Sequence, residues 1–246
     1  MAEIAVITGA GSGIGRASAQ LLAERGLKCL VVGRSREPLD ECVKEIEEEG
    51  GSAEAVGADV GTEEGVDAII AAVADRPVRT VVHSAGSHVP LSFVDSRRAD
   101  FDQQLAVNLT GPYFLTQGLA EFLVDGSSIV FVSSIVAERA RDLHVAYAAS
   151  KAGLLALTKH LAAELAPTTR VNCVSPGATA TPMLKAYIEA ASSDGGPTPG
   201  SRGPSRLLLG RVAQPAEVAS TIVHLALDAT AVTGVDVAAD CGYKAS

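Results

Sequence analysis

Two side chains four residues apart, Tyr147 and Lys151 in Tyr147-Ala148-Ala149-Ser150-Lys151, are the first candidates for chemistry. On a helix this spacing puts both on one face. A free phenol titrates near 10, too high to trade protons readily at neutral pH. Bringing it to about 7 takes roughly 4 kcal/mol, and one ammonium about 4 Å away supplies about that much at an effective dielectric near 20. The pair is read as a proton donor or acceptor with its tuning cation. A lone pair of this kind is more often a solvated helix pair, so context must decide. Ser134 follows the apolar run Ser128–Val132, which reads as a buried strand. At the carboxyl edge of a sheet its hydroxyl can bond an oxygen that gains charge. Ser133 competes for that role, but alternation turns it the other way. No Gly-x-Ser-x-Gly elbow surrounds either serine, which weighs against a hydrolase.

The second constellation is Thr8-Gly9-Ala10-Gly11-Ser12-Gly13-Ile14-Gly15, between the first apolar run and an amphipathic stretch. One glycine supplies positive φ for the tight turn, a second leaves room for a pyrophosphate, and a third lets helix pack on strand. The helix N-terminus then faces the anion. Gly9, Ser12, Gly13, Ile14 and Gly15 are the candidate cradle. About 20 residues past such a loop, a carboxylate usually binds the ribose 2′-hydroxyl. Here the second run ends Val31-Val32-Gly33-Arg34-Ser35, with no carboxylate. The Arg34 guanidinium, with Ser35 beside it, suits a 2′-phosphate. That favours NADP(H). NAD(H) with a solvated Arg34 remains the alternative.

The elements that must position these groups alternate along the chain. Strand candidates are Glu3–Thr8, Leu27–Val32, Ala53–Ala58, Thr80–His83, Ser128–Val132, Arg170–Val174 and Val235–Ala239. Most are near-continuous Val, Ile and Ala, the mark of strands buried on both faces of a parallel sheet. Between them run helical stripes such as Leu39, Cys42, Val43 and Ile46, or Leu154, Leu157, Leu161 and Leu165. The expected fold is α/β: a single-domain, doubly wound Rossmann sheet of seven mostly parallel strands with helices on both faces. The Gly-, Pro- and Ser-rich segment 191–205 interrupts the rhythm. Only 41 residues follow it, too few for a second core, so it reads as a mobile lid within one domain spanning 1–246.

Together these motifs resemble the short-chain dehydrogenase/reductase family, in particular 3-oxoacyl-carrier-protein reductases. The match runs in order through the glycine loop, His83-Ser84-Ala85-Gly86, Asn108, Ser134, Tyr147 with Lys151, Asn172 and Pro176-Gly177. The resemblance implies hydride transfer between a nicotinamide and a ketone or secondary alcohol. It makes Tyr147 the acid/base, Ser134 the group that steadies the substrate oxygen, Lys151 the tuner of Tyr147 and a ribose ligand, and Asn108 the carrier of a relay water. It implies that Asp59 and Val60 contact adenine, that Ala85 and Gly86 form a smooth wall beside the cofactor, and that Pro176, Gly177, Thr179 and Thr181 hold the nicotinamide. It places a substrate lid at about 182–211 and a homo-oligomer, tetramer or dimer. His83-Ser84 replaces the usual Asn-Asn, which puts local bracing in doubt, and His83 reads as structural. His88 and His144 could reach the substrate. Cys241 adds a side chain where the family usually has none.

Composition sets outer limits. A net charge of −9 argues against nucleic acid as a partner. An apolar fraction of 47% excludes disorder as the default. No run suggests a membrane span or signal peptide, and the four cysteines form no Cys-x-x-Cys pair. A cytoplasmic protein with no metal is expected. Its expected partner is a small carbonyl or alcohol substrate, free or thioester-linked. The substrate itself is not legible. An NAD-dependent alcohol dehydrogenase and a non-catalytic NADP-binding regulator stay open beside the ketoreductase.

Overall fold

A computed structural model describes residues 2–193 and 207–246. Seven strands form one parallel sheet in the order β3-β2-β1-β4-β5-β6-β7. They are β1 (Ile4–Thr8), β2 (Lys28–Gly33), β3 (Ser52–Gly57), β4 (Val78–His83), β5 (Leu123–Val132), β6 (Thr169–Pro176) and β7 (Asp236–Ala239). The helices are α1 (Gly13–Glu24), α2 (Arg36–Glu48), α3 (Glu63–Val73), α4 (Arg98–Leu105), α5 (Gly111–Leu119), α6 (Val145–Glu164), α7 (Pro182–Ser193) and α8 (Pro215–Val223). The doubly wound reading holds.

Successive strand residues face opposite sides, and both sides are covered. Ala5, Ile7 and Val31 pack with Leu22 of α1, Leu39 and Ile46 of α2, and Ile222 of α8. Ile4, Val6, Leu30 and Phe131 pack with Ile69 of α3, Leu115 and Leu119 of α5, and Leu154 of α6. Double burial is why the central strands carry no polar alternation. The edge strand β3 is the exception. Glu54 stays at its surface and pairs with Lys28 and Arg76.

Every strand differs from expectation by at least a residue at one end or both, and β5 and β6 show why. β5 begins at Leu123, five residues before Ser128, because Leu123 pairs with Val78 ahead of a register shift. Gly126 adopts φ +79° within the strand. β6 runs on to Pro176, where a proline needs to donate nothing further along the ladder.

β1 lies between β2 and β4, so the sheet grows one way and then the other from this strand. Helices diverge there and leave a crevice at the carboxyl ends of the strands. The glycine loop, Ser84–Gly86, Ser134 and Pro176-Gly177 all follow strands at that edge. The Ala85 amide donates to the Thr8 hydroxyl at 3.1 Å, tying the turn after β4 to the end of β1.

Candidate active site

A cleft of about 440 Å³ opens along this edge. It lies within the usual range for small-molecule sites. One end is the glycine loop. A Cβ on Gly9, at φ +69°, would come within 2.7 Å of the Ala85 amide nitrogen. A Cβ on Gly15 would sit 2.3 Å from the Gly9 carbonyl oxygen. Strand, turn and helix are thus closed to a distance that only glycine permits. Ser12 caps α1 through its position but not its side chain, which leaves the hydroxyl unused by the helix. Ile14, Asp59, Val60, Ala85 and Gly86 line the same cleft. The Asp59 carboxylate accepts from the Gly61 amide at 2.9 Å, which fixes the turn after β3.

Arg34 and Ser35 stand at the mouth, exposed, where β2 meets α2. Ser35 is the N-cap residue of α2, and its hydroxyl makes no capping bond. Arg34 forms no ion pair or side-chain hydrogen bond among the described residues. The neighbouring Arg16, by contrast, is committed to Glu41 and Glu45 of α2.

Across the cleft, Pro176 and Gly177 turn the chain out of β6, and the Gly177 amide donates to Ala239 at 3.1 Å. Thr179 is buried and pairs as an isolated bridge with Ala213. Thr181 packs over Gly13, whose Cβ would meet the Thr181 methyl at 3.0 Å. Its hydroxyl accepts the Leu184 amide at 3.3 Å and so caps α7. Of the expected lid, α7 is a helix with Met183, Leu184 and Tyr187 toward the cleft. The segment 194–206 lies outside the described residues.

The acid–base group gathers at the centre. Ser134 follows β5, caps the turn Ile135–Ala137 and faces the cleft. The Ser133 hydroxyl points away and donates to the Lys151 carbonyl at 2.9 Å, as alternation requires. Tyr147 and Lys151 occupy the first turns of α6. Burial has the largest effect on the Tyr147 phenol and pushes it up to about 12, against a smaller lowering by its hydrogen bond with Ser134. Burial likewise draws the Lys151 ammonium down to about 8. Lys151 Nζ donates to the Val132 carbonyl at 2.8 Å and lies 5.8 Å from the Tyr147 ring centre. The expected drop of the phenol to about 7 is therefore not supplied by Lys151 in the chain alone. A 4 Å ion pair in a uniform medium omits the desolvation of a buried phenolate, which acts the other way.

Asn108 is fully buried at the middle of a π-helical turn, Ala106–Thr110, between α4 and α5. Such turns often mark functional sites. Its amide donates to the Ser87 carbonyl and to the Ser150 hydroxyl, both at 2.9 Å, and its oxygen accepts the Ser87 amide at 2.8 Å. The side chain thus braces the turn after β4 against α6. Both amide hydrogens are used, while Oδ1 keeps a lone pair that can accept from a water. Gly86 lies between Asn108 and Lys151, with its Cβ direction 3.5 Å from Asn108 Oδ1 and 3.7 Å from Lys151 Nζ. Asn172 is a brace of the same kind, donating to the Val232 carbonyl at 2.9 Å.

The bracing placed in doubt by His83 is supplied by His83 itself. Its Nε2 bonds the Thr116 hydroxyl at 2.9 Å, and its ring stacks on Phe131 at 4.9 Å. Burial pushes the imidazole down to about 3. The unfolded histidine titrates near 6.5, so this group's stabilising contribution is complete above that pH and is lost as pH falls toward 3. Urea unfolding at pH 7 and pH 5 is expected to show about 2 kcal/mol of this loss, and His83→Leu should remove that difference from the pH slope. An unchanged slope in the variant would assign the acid sensitivity elsewhere.

The substrate end holds residues that sequence reasoning reached only in part. His88 packs on Tyr147 at 4.7 Å, on His144 at 4.6 Å and on Tyr187 at 5.3 Å. Arg141 lies over the Tyr187 ring at 5.4 Å. Neither Tyr187 nor Arg141 stands out in the sequence. The spacing Met183, Leu184, Tyr187 on one helix face was the available signal.

This fold and cleft define a class, and comparison with known proteins names it. Residues 9–244 match the family model described as enoyl-(acyl carrier protein) reductase. The chain is 35% identical to the 3-oxoacyl-[acyl-carrier-protein] reductase FabG of Thermotoga maritima, over 98% of this chain and 97% of the relative. It is 36% identical to the cis-4-hydroxycyclohexanecarboxylate dehydrogenase of Sinomonas cyclohexanicum, over 99% and 97%. Among solved structures, a single-residue variant of the actinorhodin polyketide ketoreductase with NADPH superposes with a TM-score of 0.89 at 31% identity, covering 98% of this chain and 97% of that one. The chain belongs to the short-chain dehydrogenase/reductase family. It is an NAD(P)-dependent oxidoreductase acting between CH–OH and C=O.

Proposed function

We propose that this enzyme is an NADP(H)-dependent ketoreductase acting on a small ketone. The observation that carries the reading is one cleft with two ends. Ser134, Tyr147 and Lys151 meet at its centre, and an uncommitted Arg34 stands beside a glycine cradle at its mouth. The cradle fits a dinucleotide, since Gly9 and Gly15 leave space that any Cβ would fill. Gly9, Ser12, Gly13, Ile14 and Gly15 would take the pyrophosphate, Asp59 and Val60 the adenine, and Arg34 and Ser35 the 2′-phosphate. Ala85, Gly86, Pro176, Gly177, Thr179 and Thr181 would enclose the nicotinamide. Bound there, the reduced nicotinamide supplies a hydride to the carbonyl carbon.

The chain's own residues handle the oxygen. Ser134 donates a hydrogen bond to it as charge develops. Tyr147 gives it a proton from the phenol, which is held in the protonated form near neutral pH. Lys151, anchored to Val132, places a positive charge beside the phenolate that remains. Asn108 positions Ser87 and Ser150 around this group. The same residues in reverse serve alcohol oxidation.

Relatives differ in the substrates their names state: an acyl-carrier-bound ketone, a cyclic hydroxy acid and a polyketide. The exposed apolar side chains Phe93, Phe101, Leu143 and Val145 lie together beside α4 and α6 and support a homo-oligomer. Among the described residues no helix is long and apolar enough to cross a membrane.

The experiment is a fluorescence titration with NADPH and NADH side by side. NADPH is expected to bind more tightly, and Arg34→Glu to erase that preference by about ten- to a hundredfold. Preference for NADH in the native protein would instead support an NAD-dependent alcohol dehydrogenase. Binding of neither would leave a cradle without its ligand and overturn the reading.

A further inference from the structure

Arginines on this acidic chain are almost all committed. Among the described residues Arg16, Arg25, Arg36, Arg76, Arg79, Arg97, Arg98 and Arg211 pair with carboxylates. Arg139 and Arg170 donate to backbone carbonyls. Among the described residues two remain that bind neither, Arg34 and Arg141, and both line the same cleft. Arg34 stands at the cofactor end. Arg141 stands at the opposite end, against Tyr187 of α7. With a net charge of −9 there is no shortage of carboxylates to pair with, yet among the described residues none meets Arg141. Asp59 is the only carboxylate among the described residues lining the cleft, and it follows β3 at the other end.

Flat rings connect Arg141 to the reacting phenol by successive contacts. Tyr187 packs on His88, and His88 packs on Tyr147. His144 closes the group from the start of α6, with its Nδ1 bonded to the Asp142 carbonyl at 2.6 Å. His88 Nε2 is buried and has no hydrogen-bond partner. A buried ring nitrogen left open can take a hydrogen bond from a ligand. The end of the cleft therefore offers a planar cation, flat walls and one open polar atom on the way to Tyr147. A guanidinium is matched by a carboxylate, through two parallel hydrogen bonds.

We propose that Arg141 recognises a carboxylate on the substrate, so that the preferred ketone is an oxo acid whose carboxylate is remote from the reacting carbon. The remoteness rests on the chain of contacts that runs from Arg141 to Tyr187, from Tyr187 to His88 and from His88 to Tyr147. This inference rests on the ketoreductase reading and assigns its substrate class. Arg141 acts as a specificity residue. It touches the far end of the substrate and leaves the acid–base group alone.

The test compares 4-oxocyclohexanecarboxylate with its methyl ester, and 4-oxopentanoate with its methyl ester, by NADPH oxidation. The native enzyme is expected to favour the acids in kcat/KM by about ten- to a hundredfold, the worth of a charge-assisted pair. Arg141→Met should collapse that ratio through KM, with kcat on the acids changing far less, and Arg141→Lys should restore part of it. Calorimetric titration of cyclohexanecarboxylate, which cannot react, into the NADP-loaded protein should show binding that Arg141→Met loses. Equal use of acid and ester by the native enzyme overturns this proposal alone and leaves the ketoreductase standing. So does an acid preference that survives Arg141→Met. Failure to reduce any acid or ester, with NADPH bound, overturns both.

Discussion

Tyr147→Phe is expected to lower kcat for ketone reduction by about 10²- to 10⁴-fold, the usual worth of a positioned general acid. Phenylalanine keeps the ring that packs on His88 at 4.7 Å and loses only the hydroxyl. NADPH binding and KM should therefore change little, which separates lost proton transfer from lost structure. Burial holds the phenol up at about 12, so near neutral pH it carries a proton to give in the reducing direction. Lys151, drawn down to about 8, keeps its charge below that pH and loses it above. The reduction rate is expected to hold through neutral pH and to fall as pH rises past about 8. A rate that stays level well above that pH would remove the Lys151 charge from the step. Near-native turnover in Tyr147→Phe would remove Tyr147 as the acid.

Much of this architecture was open to reading because the sheet is buried on both faces. Continuous apolar runs such as Ile129–Val132, short and bounded, fit strands buried on both faces. Glycines at contact distance from backbone, as at Gly9 and Gly15, leave a similarly direct trace. What escaped depends on partners distant in the chain. Nothing local to Asn108 shows a π-helical turn. The turn is accompanied by bonds to Ser87 and Ser150, 21 and 42 positions away. His83 reads as a lost asparagine until Thr116 and Phe131 are seen around it. Arg141 reads as an ordinary surface arginine, because the absence of a carboxylate partner among the described residues is a property of the fold alone. The titration of Tyr147 is hidden from the sequence for a related reason. Spacing gives the distance to a cation but not the loss of water that opposes it.

The second large effect belongs to the cradle. Gly9→Ala and Gly15→Ala are each expected to weaken NADPH binding by more than about a hundredfold, since loop geometry positions every phosphate contact at once. At Gly15 the new methyl would lie 2.3 Å from the Gly9 carbonyl oxygen and 2.7 Å from its carbon, both rigid backbone. At Gly9 it would meet the Ala85 backbone at 2.7 Å in a residue that already needs φ +69°. Either way the turn must open, and the helix N-terminus moves off the anion. The same change also costs stability, about 1–3 kcal/mol for crowding and about 1–2 for left-handed backbone at Gly9. Gly26→Ala separates the two effects. Gly26 also adopts positive φ, +86°, but nothing lies within 4 Å of its Cβ direction and it does not line the cleft. That variant should lose stability by the backbone cost alone and bind NADPH as the native protein does. If all three variants bind NADPH equally well, the loop is only a strand-to-helix turn and the cofactor sits elsewhere. If Gly26→Ala weakens binding as much as the other two, general destabilisation explains the loss and the cradle carries no special share of it.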